Sequence, residues 1–161
     1  MEEIREGGCT IVLDTQYWPV VFATWIGEPN ERAVTRYFEA SEPLWARARK
    51  ERTRFVLVTD AARTGRPDAK VRKLIADKTN AQAPDTQDLA AGSIIVVENA
   101  LIRGVVTALG WILPRLKDST IVGSIEEAIT TALGLLDEHG LARPAGLTVA
   151  RYRRPALTAT A

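Results

Sequence analysis

The sequence predicts a single α/β domain: a mixed, mostly parallel sheet that opens with an antiparallel hairpin and carries about four helices. Three observations lead there. The runs "RFVLVTD" (Arg54 to Asp60) and "SIIVVE" (Ser93 to Glu98) are continuously apolar rather than alternating, the pattern of strands covered on both faces. The segments between such runs have helical periodicity, so strands and helices alternate along the chain. Near the start, "CTIVLD" (Cys9 to Asp14) and "WPVVFATWIG" (Trp18 to Gly27) are separated only by the polar "TQY", which reads as a hairpin turn with Pro19 at the start or edge of its strand.

The elements follow in order. In "EPNERAVTRYFEASEPLWARARKER", Val34, Tyr37, Phe38, Leu44 and Trp45 recur at helical spacing. Pro43 is expected to break or kink this segment, with Ser41 capping a second short helix. After the strand at Arg54 to Asp60, "AARTGRP" reads as a loop. "DAKVRKLIADKTN" (Asp68 to Asn80) reads as an amphipathic helix with Val71, Leu74 and Ile75 inward and Asp68 as its cap. "AQAPDTQDLAAG" reads as a loop or frayed helical link before the strand at Ser93 to Glu98. "NALIRGVVTALGWILP" (Asn99 to Pro114) reads as a crossover helix ended by Pro114, and "STIVGS" as a last short strand. "SIEEAITTALGLLDEHG" is the clearest helix, with Ser124 and Glu127 as a capping box and Gly140 as a stop. Residues 1–140 form the predicted domain. Residues 141–161, rich in Pro, Ala and Arg, read as a loosely attached, flexible tail.

Composition bounds the function. The 161 residues are 46% hydrophobic and 25% charged, ordinary for a globular domain able to bury a full core without metal or disulfides. A net charge of +1 provides no field that calls for nucleic acid, and the aromatics are not interleaved with basic residues as in a nucleic-acid platform. Cys9 is the only cysteine, which suits a reducing compartment, and a cytoplasmic location is expected. The opening "MEEIREGG" lacks the basic and apolar regions of a secretory signal. The apolar stretch at Asn99 to Pro114 is shorter than the roughly 20 residues a spanning helix needs. Its apolar residues point in nearly all directions, so something must cover it: the C-terminal helix, a second subunit, or a ligand. A homo-oligomer is therefore one expectation.

No catalytic set stands out. His139 is the only histidine and falls at a predicted helix end, where a protonated imidazole interacts well with the helix dipole. One Cys and one His exclude a zinc-type spacing, and neither a phosphate-binding glycine loop nor a dinucleotide fingerprint is present, so no metal or cofactor is expected. Asp14, Asp60 and Glu98 each follow a strand; they read as solvated strand ends, with a paired-carboxylate site as the sharper alternative. Ligands of open α/β sheets bind at the carboxyl edge of the strands. That edge nominates Asp60, Arg63 and Thr64 from one loop and Asn99 and Arg103 from the next, the two arginines suited to an anionic headgroup or a phosphorylated partner. The bland reading is that these arginines are solvated or paired with nearby acids. A basic run (Arg63, Arg66, Lys70, Arg72, Lys73) and the tail "RYRR" read as solvated surface or as a peripheral membrane contact. Trp18, Trp25, Trp45 and Trp111 read as core or interface residues, or as the lining of an apolar cavity.

The order and spacing of "GSIIVVENALIRGVVTALGWILP" followed by "STIVGSIEEAITTALGLL", with "RFVLVTDAARTG" and "DAKVRKLIADKTN" upstream, resembles the SpoIIAA-like group of the STAS (sulfate transporter and anti-sigma-factor antagonist) superfamily over roughly Cys9 to His139. The resemblance implies a small cytosolic STAS-like domain, non-enzymatic, that regulates by binding a protein partner. In anti-sigma antagonists the switch is phosphorylation of a Ser or Thr in an Asp-Ser-Ser-Gly-like sequence at a helix start. The nearest match here is "ARTG", which makes Thr64 the phosphoacceptor candidate but lacks the acidic residue and the first serine. The SpoIIAA-like branch is also similar to lipid-carrying folds. A carrier or sensor of an apolar or lipid-like ligand, with Trp111 among its contacts, is the alternative expectation.

Overall fold

A computed structural model describes residues 1–98 and 119–156. The predicted helix at Asn99 to Pro114, and with it Asn99, Arg103 and Trp111, lies outside the described residues. Six strands form one sheet in the order β1-β2-β3-β4-β5-β6: β1 (Glu2–Glu6), β2 (Cys9–Asp14), β3 (Val20–Gly27), β4 (Phe55–Thr64), β5 (Ala90–Val96) and β6 (Thr120–Val122). β1, β2 and β3 pair antiparallel; β3 to β6 pair parallel. The mixed, mostly parallel sheet with an antiparallel start is therefore present, extended by β1. Within "EEIRE" only Ile4 is buried, so periodicity hardly marks this strand. The available signal was Gly7-Gly8: Glu6 pairs with Cys9, leaving a two-residue loop in which Gly7 takes a φ of 58°.

Three α-helices lie among the described residues: α1 (Glu31–Glu51), α2 (Ala69–Thr86) and α3 (Ile125–Glu138). α1 is continuous through Pro43, contrary to the expected break. Its buried residues Val34, Leu44, Trp45 and Ala48 lie on both sides of the proline, so packing against the sheet outweighs one lost backbone bond. Ser41, expected to cap a second helix, instead donates its hydroxyl to the Phe38 carbonyl at 2.8 Å. Asn30 caps α1, accepting from the Ala33 N–H at 3.0 Å and donating to the Glu6 carbonyl at 2.6 Å, which ties the helix to β1. Asp68 caps α2 as expected, accepting from Val71 N–H at 2.8 Å. α2 then continues to Thr86, into the first half of the segment read as a loop or frayed helical link, and β5 begins at Ala90. At α3 the Ser124 hydroxyl accepts from Glu127 N–H at 3.2 Å, and the Glu127 carboxylate accepts from Gly123 N–H at 2.8 Å.

Side-chain alternation divides the core into two layers. Val20 and Phe22 of β3, Val56 and Val58 of β4, and Ile94 and Val96 of β5 pack against Ala128, Ile129, Ala132 and Leu136 of α3. Ile11, Leu13, Val21, Ala23, Trp25 and Phe55 pack on the opposite face, against α1 and the start of α2.

Residues 141–156 correct the reading of a loose tail. Leu147 and Tyr152 are 3% and 5% exposed and belong to the α3-side core. The Tyr152 ring stacks on Phe22 with centroids 4.3 Å apart and meets Tyr17 at 6.0 Å. Composition alone hid this, because a few buried anchors suffice to fix a segment that is otherwise polar and irregular. Burial of one tyrosine and one leucine is worth about 4–5 kcal/mol. Deleting residues 141–161 is therefore expected to lower the melting temperature by roughly 10–15 °C for a chain of this size. A flexible tail would leave it unchanged.

Candidate functional site

The candidate residues on β4 are sorted by a bulge. Thr24 of β3 pairs with Asp60, but Ile26 pairs with Arg63, so two residues of β3 face three of β4. The extra residue puts Asp60 and Arg63 on the same face although they are three apart. Thr64, opposite Gly27, then faces the other way. The sequence reads "AARTGRP" as a loop directly after Asp60, presenting these three side chains together. The chain instead continues as strand to Thr64 and separates them.

On the α3 face, Asp60 is 1% exposed and meets the C-terminal segment. Its Oδ1 accepts from the Ala62 N–H at 3.1 Å, and Arg154 Nε donates to its Oδ2 at 2.8 Å. Arg154 Nη2 donates at 2.6 Å to Glu98, just beyond the end of β5. One guanidinium thus joins two of the strand-end carboxylates read as solvated. Asp14 is separate, its carboxylate accepting from the Gln16 backbone and side chain, each at 3.0 Å. Arg63 Nη2 donates to the Pro155 carbonyl at 2.9 Å. Burial, then the nearby Asp60 and Asp14 carboxylates, push the Tyr152 hydroxyl above its usual range and keep it protonated. This cluster is filled by the chain itself and works as a clamp. Tyr152 and Arg154 belong to the "RYRR" that the sequence reads as solvated surface or a membrane contact, because they lie in the segment taken as a tail.

The other face holds a cavity of about 590 Å³ between α1, α2 and strands β3 to β5. Trp25 of β3, Tyr37, Phe38 and Trp45 of α1, and Phe55 of β4 line it, with the Trp25 and Tyr37 rings 5.0 Å apart and the Trp45 and Phe55 rings 4.8 Å apart. Burial pushes the Tyr37 hydroxyl up to about 12, so it stays neutral. Leu57 and Thr59 of β4, Ser93 and Ile95 of β5, and Ile75 and Thr79 of α2 complete the wall toward β5. Thr64 also lines the cavity, its hydroxyl donating to the Gly27 carbonyl at 3.3 Å. Of the four tryptophans, Trp25 and Trp45 lie here. Trp18 stacks on Phe55 at 5.3 Å and donates its indole N–H to Glu51 at 2.9 Å; Trp111 is outside the described residues.

Three residues of the nominated basic run make local contacts. Lys73 meets Asp77 at 2.7 Å, Lys70 meets Glu31 at 3.9 Å, and Arg72 donates to the Pro67 carbonyl at 2.8 Å. His139 caps the end of α3, with Nδ1 3.4 Å from the Arg54 guanidinium. Among the described residues no group of three or more His, Cys, Asp or Glu side chains is placed to hold a metal ion, and no helix is long and apolar enough to cross a membrane.

The clamp is testable by substitution. Arg154→Met leaves the Asp60 carboxylate buried without its cation and is expected to cost about 2–3 kcal/mol in urea denaturation, less than the roughly 3–5 of a fully buried pair because Arg154 is partly exposed. Adding Asp60→Asn to that variant should recover part of the loss. Equal stability of Arg154→Met and the unchanged chain would show that the ion pair does not hold the segment.

No family model and no curated protein matches the chain. Among solved structures it is similar to an anti-sigma factor antagonist from Mycobacterium paratuberculosis, with 13% identity and a TM-score of 0.49 over 78% of this chain and 94% of that one. It is likewise similar to an uncharacterized protein with a SpoIIAA-like fold from Shewanella loihica PV-4, with 12% identity and a TM-score of 0.49 over 82% of this chain and 99% of that one.

Proposed function

We propose that this protein is a non-enzymatic cytoplasmic binding module that carries or senses a small, largely apolar ligand held between α1, α2 and the sheet. The observation that supports this is the 590 Å³ cavity. The cavity is about half open, a pocket on the α1–α2 face of the sheet rather than a sealed void in the core. It falls in the roughly 300–1,000 Å³ range of small-molecule sites and has their makeup, aromatic and aliphatic walls with a few polar groups. The carboxyl-edge polar groups Asp60 and Arg63 hold the chain's own C-terminal segment, which favours the cavity over an anion site there. The buried free thiol of Cys9 suits a reducing compartment.

A second reading is regulation through protein contacts, with Thr64 as the phosphoacceptor. It draws on the sequence resemblance to SpoIIAA-like proteins and on the position of Thr64 at the end of β4, four residues before the Asp68 cap of α2. The two readings are compatible if occupancy of the cavity alters a partner-binding surface.

Native and intact mass spectrometry of protein purified from its own host discriminates between them. The expected result is a retained small molecule, released on denaturation and absent from an Ile75→Trp variant whose added ring occupies the cavity. Persistent recovery of ligand-free protein carrying phosphate at Thr64 would reject the carrier reading in favour of the second.

A further inference from the structure

We propose that the ligand is an uncharged amphiphile, with a hydroxyl- or carbonyl-bearing head against Thr59 and Ser93 and an apolar body among the aromatic side chains. This rests on the cavity being a binding site and adds the chemistry of what it takes. β4 and β5 are interior parallel strands, which ordinarily carry apolar residues on both faces. Val56, Val58, Ile94 and Val96 follow that rule on the α3 face. On the cavity face two positions break it. Thr59 pairs with Ile95 and Leu57 with Ser93, so the two hydroxyl residues are diagonal neighbours on one patch of the sheet. Both line the cavity, and neither side chain has a hydrogen-bond partner among the described residues. Thr79 of α2, which also lines the cavity, is in the same condition.

A hydroxyl both donates and accepts, so this patch matches an alcohol, ester or ketone equally well. A pure hydrocarbon would cover these groups without pairing them, at the cost of their hydration. A charged head is disfavoured for a different reason. Among the described residues that line the cavity there is no Asp, Glu, Lys, Arg or His, so a carboxylate or ammonium placed there would leave water without a counter-charge. The rings of Trp25, Tyr37 and Trp45 line the same cavity and supply apolar faces for the body, and the indole N–H groups of Trp25 and Trp45, buried without a hydrogen-bond partner among the described residues, add donors that suit an acceptor oxygen rather than a cation.

The test is a titration of the full chain with decanol, decane and decanoate at neutral pH, read by tryptophan fluorescence because Trp25 and Trp45 border the cavity. Decanol is expected to bind about tenfold more tightly than decane, the effect of one to two net hydrogen bonds, and more tightly than decanoate. The near-isosteric Thr59→Val and, separately, Ser93→Ala should each reduce the preference for decanol, weakening decanol and strengthening decane, which no longer covers an unpaired hydroxyl. Circular dichroism checks that each variant is folded. Equal affinity for decane and decanol, or tightest binding of decanoate, would overturn this inference and leave the cavity reading standing. Absence of binding by all three would overturn the cavity reading with it.

Discussion

The alternation of side chains along β4 governs the arrangement of this protein. β4 pairs with β3 on one side and β5 on the other, so its two faces decide what each layer of the molecule can be. Val56, Val58 and Asp60 point toward α3 and the C-terminal segment; Phe55, Leu57, Thr59 and Ala61 belong to the side bearing α1 and α2. The bulge beyond Asp60 preserves this division at the strand's end, sending Arg63 to the clamp and Thr64 to the cavity. A one-residue slip would exchange the two sets and place the Asp60 carboxylate among the aromatic rings.

The two faces are finished differently. Toward α3, the close contacts of Phe22, Tyr17 and Tyr152 and the Arg154 guanidinium close the layer, and the last part of the chain supplies the closing groups. Toward α1 and α2, bulky rings hold the helices off the sheet near β3. α2, with only Val71, Ala76 and Thr86 buried, does not fill the space toward β5. The weak apolar face of α2 is thus one physical origin of the cavity.

The sheet and helix order was legible because it rests on local pattern: continuous apolar runs for the parallel strands, capping residues such as Asp68 and Ser124 for the helices. The misreadings have one cause, the priority of tertiary packing over local signals. Pro43 does not stop α1 because both halves are buried. "AART" is strand because it pairs with the end of β3. Residues 141–156 are fixed by Leu147, Tyr152 and Arg154, three anchors that composition averages away. The site was legible only in part. Asp60, Arg63 and Thr64 were nominated together, but face assignment depends on a bulge that no sequence pattern marks. Trp25 and Trp45 were recognisable as bulky apolar residues. Only the fold distinguishes them, at the cavity wall, from Trp18, bonded to Glu51 at the end of α1.

The central claim is that one face of the sheet is sealed while the other leaves a half-open pocket for a guest. A crystal of the protein pressurised with xenon tests it most directly, since xenon enters apolar cavities that water leaves empty. The account predicts xenon density between the Trp25 and Trp45 rings and the Leu57–Ile95 floor, and none between the sheet and α3. Absence of xenon beside those rings, with α1 and α2 packed directly onto β4 and β5, would contradict it.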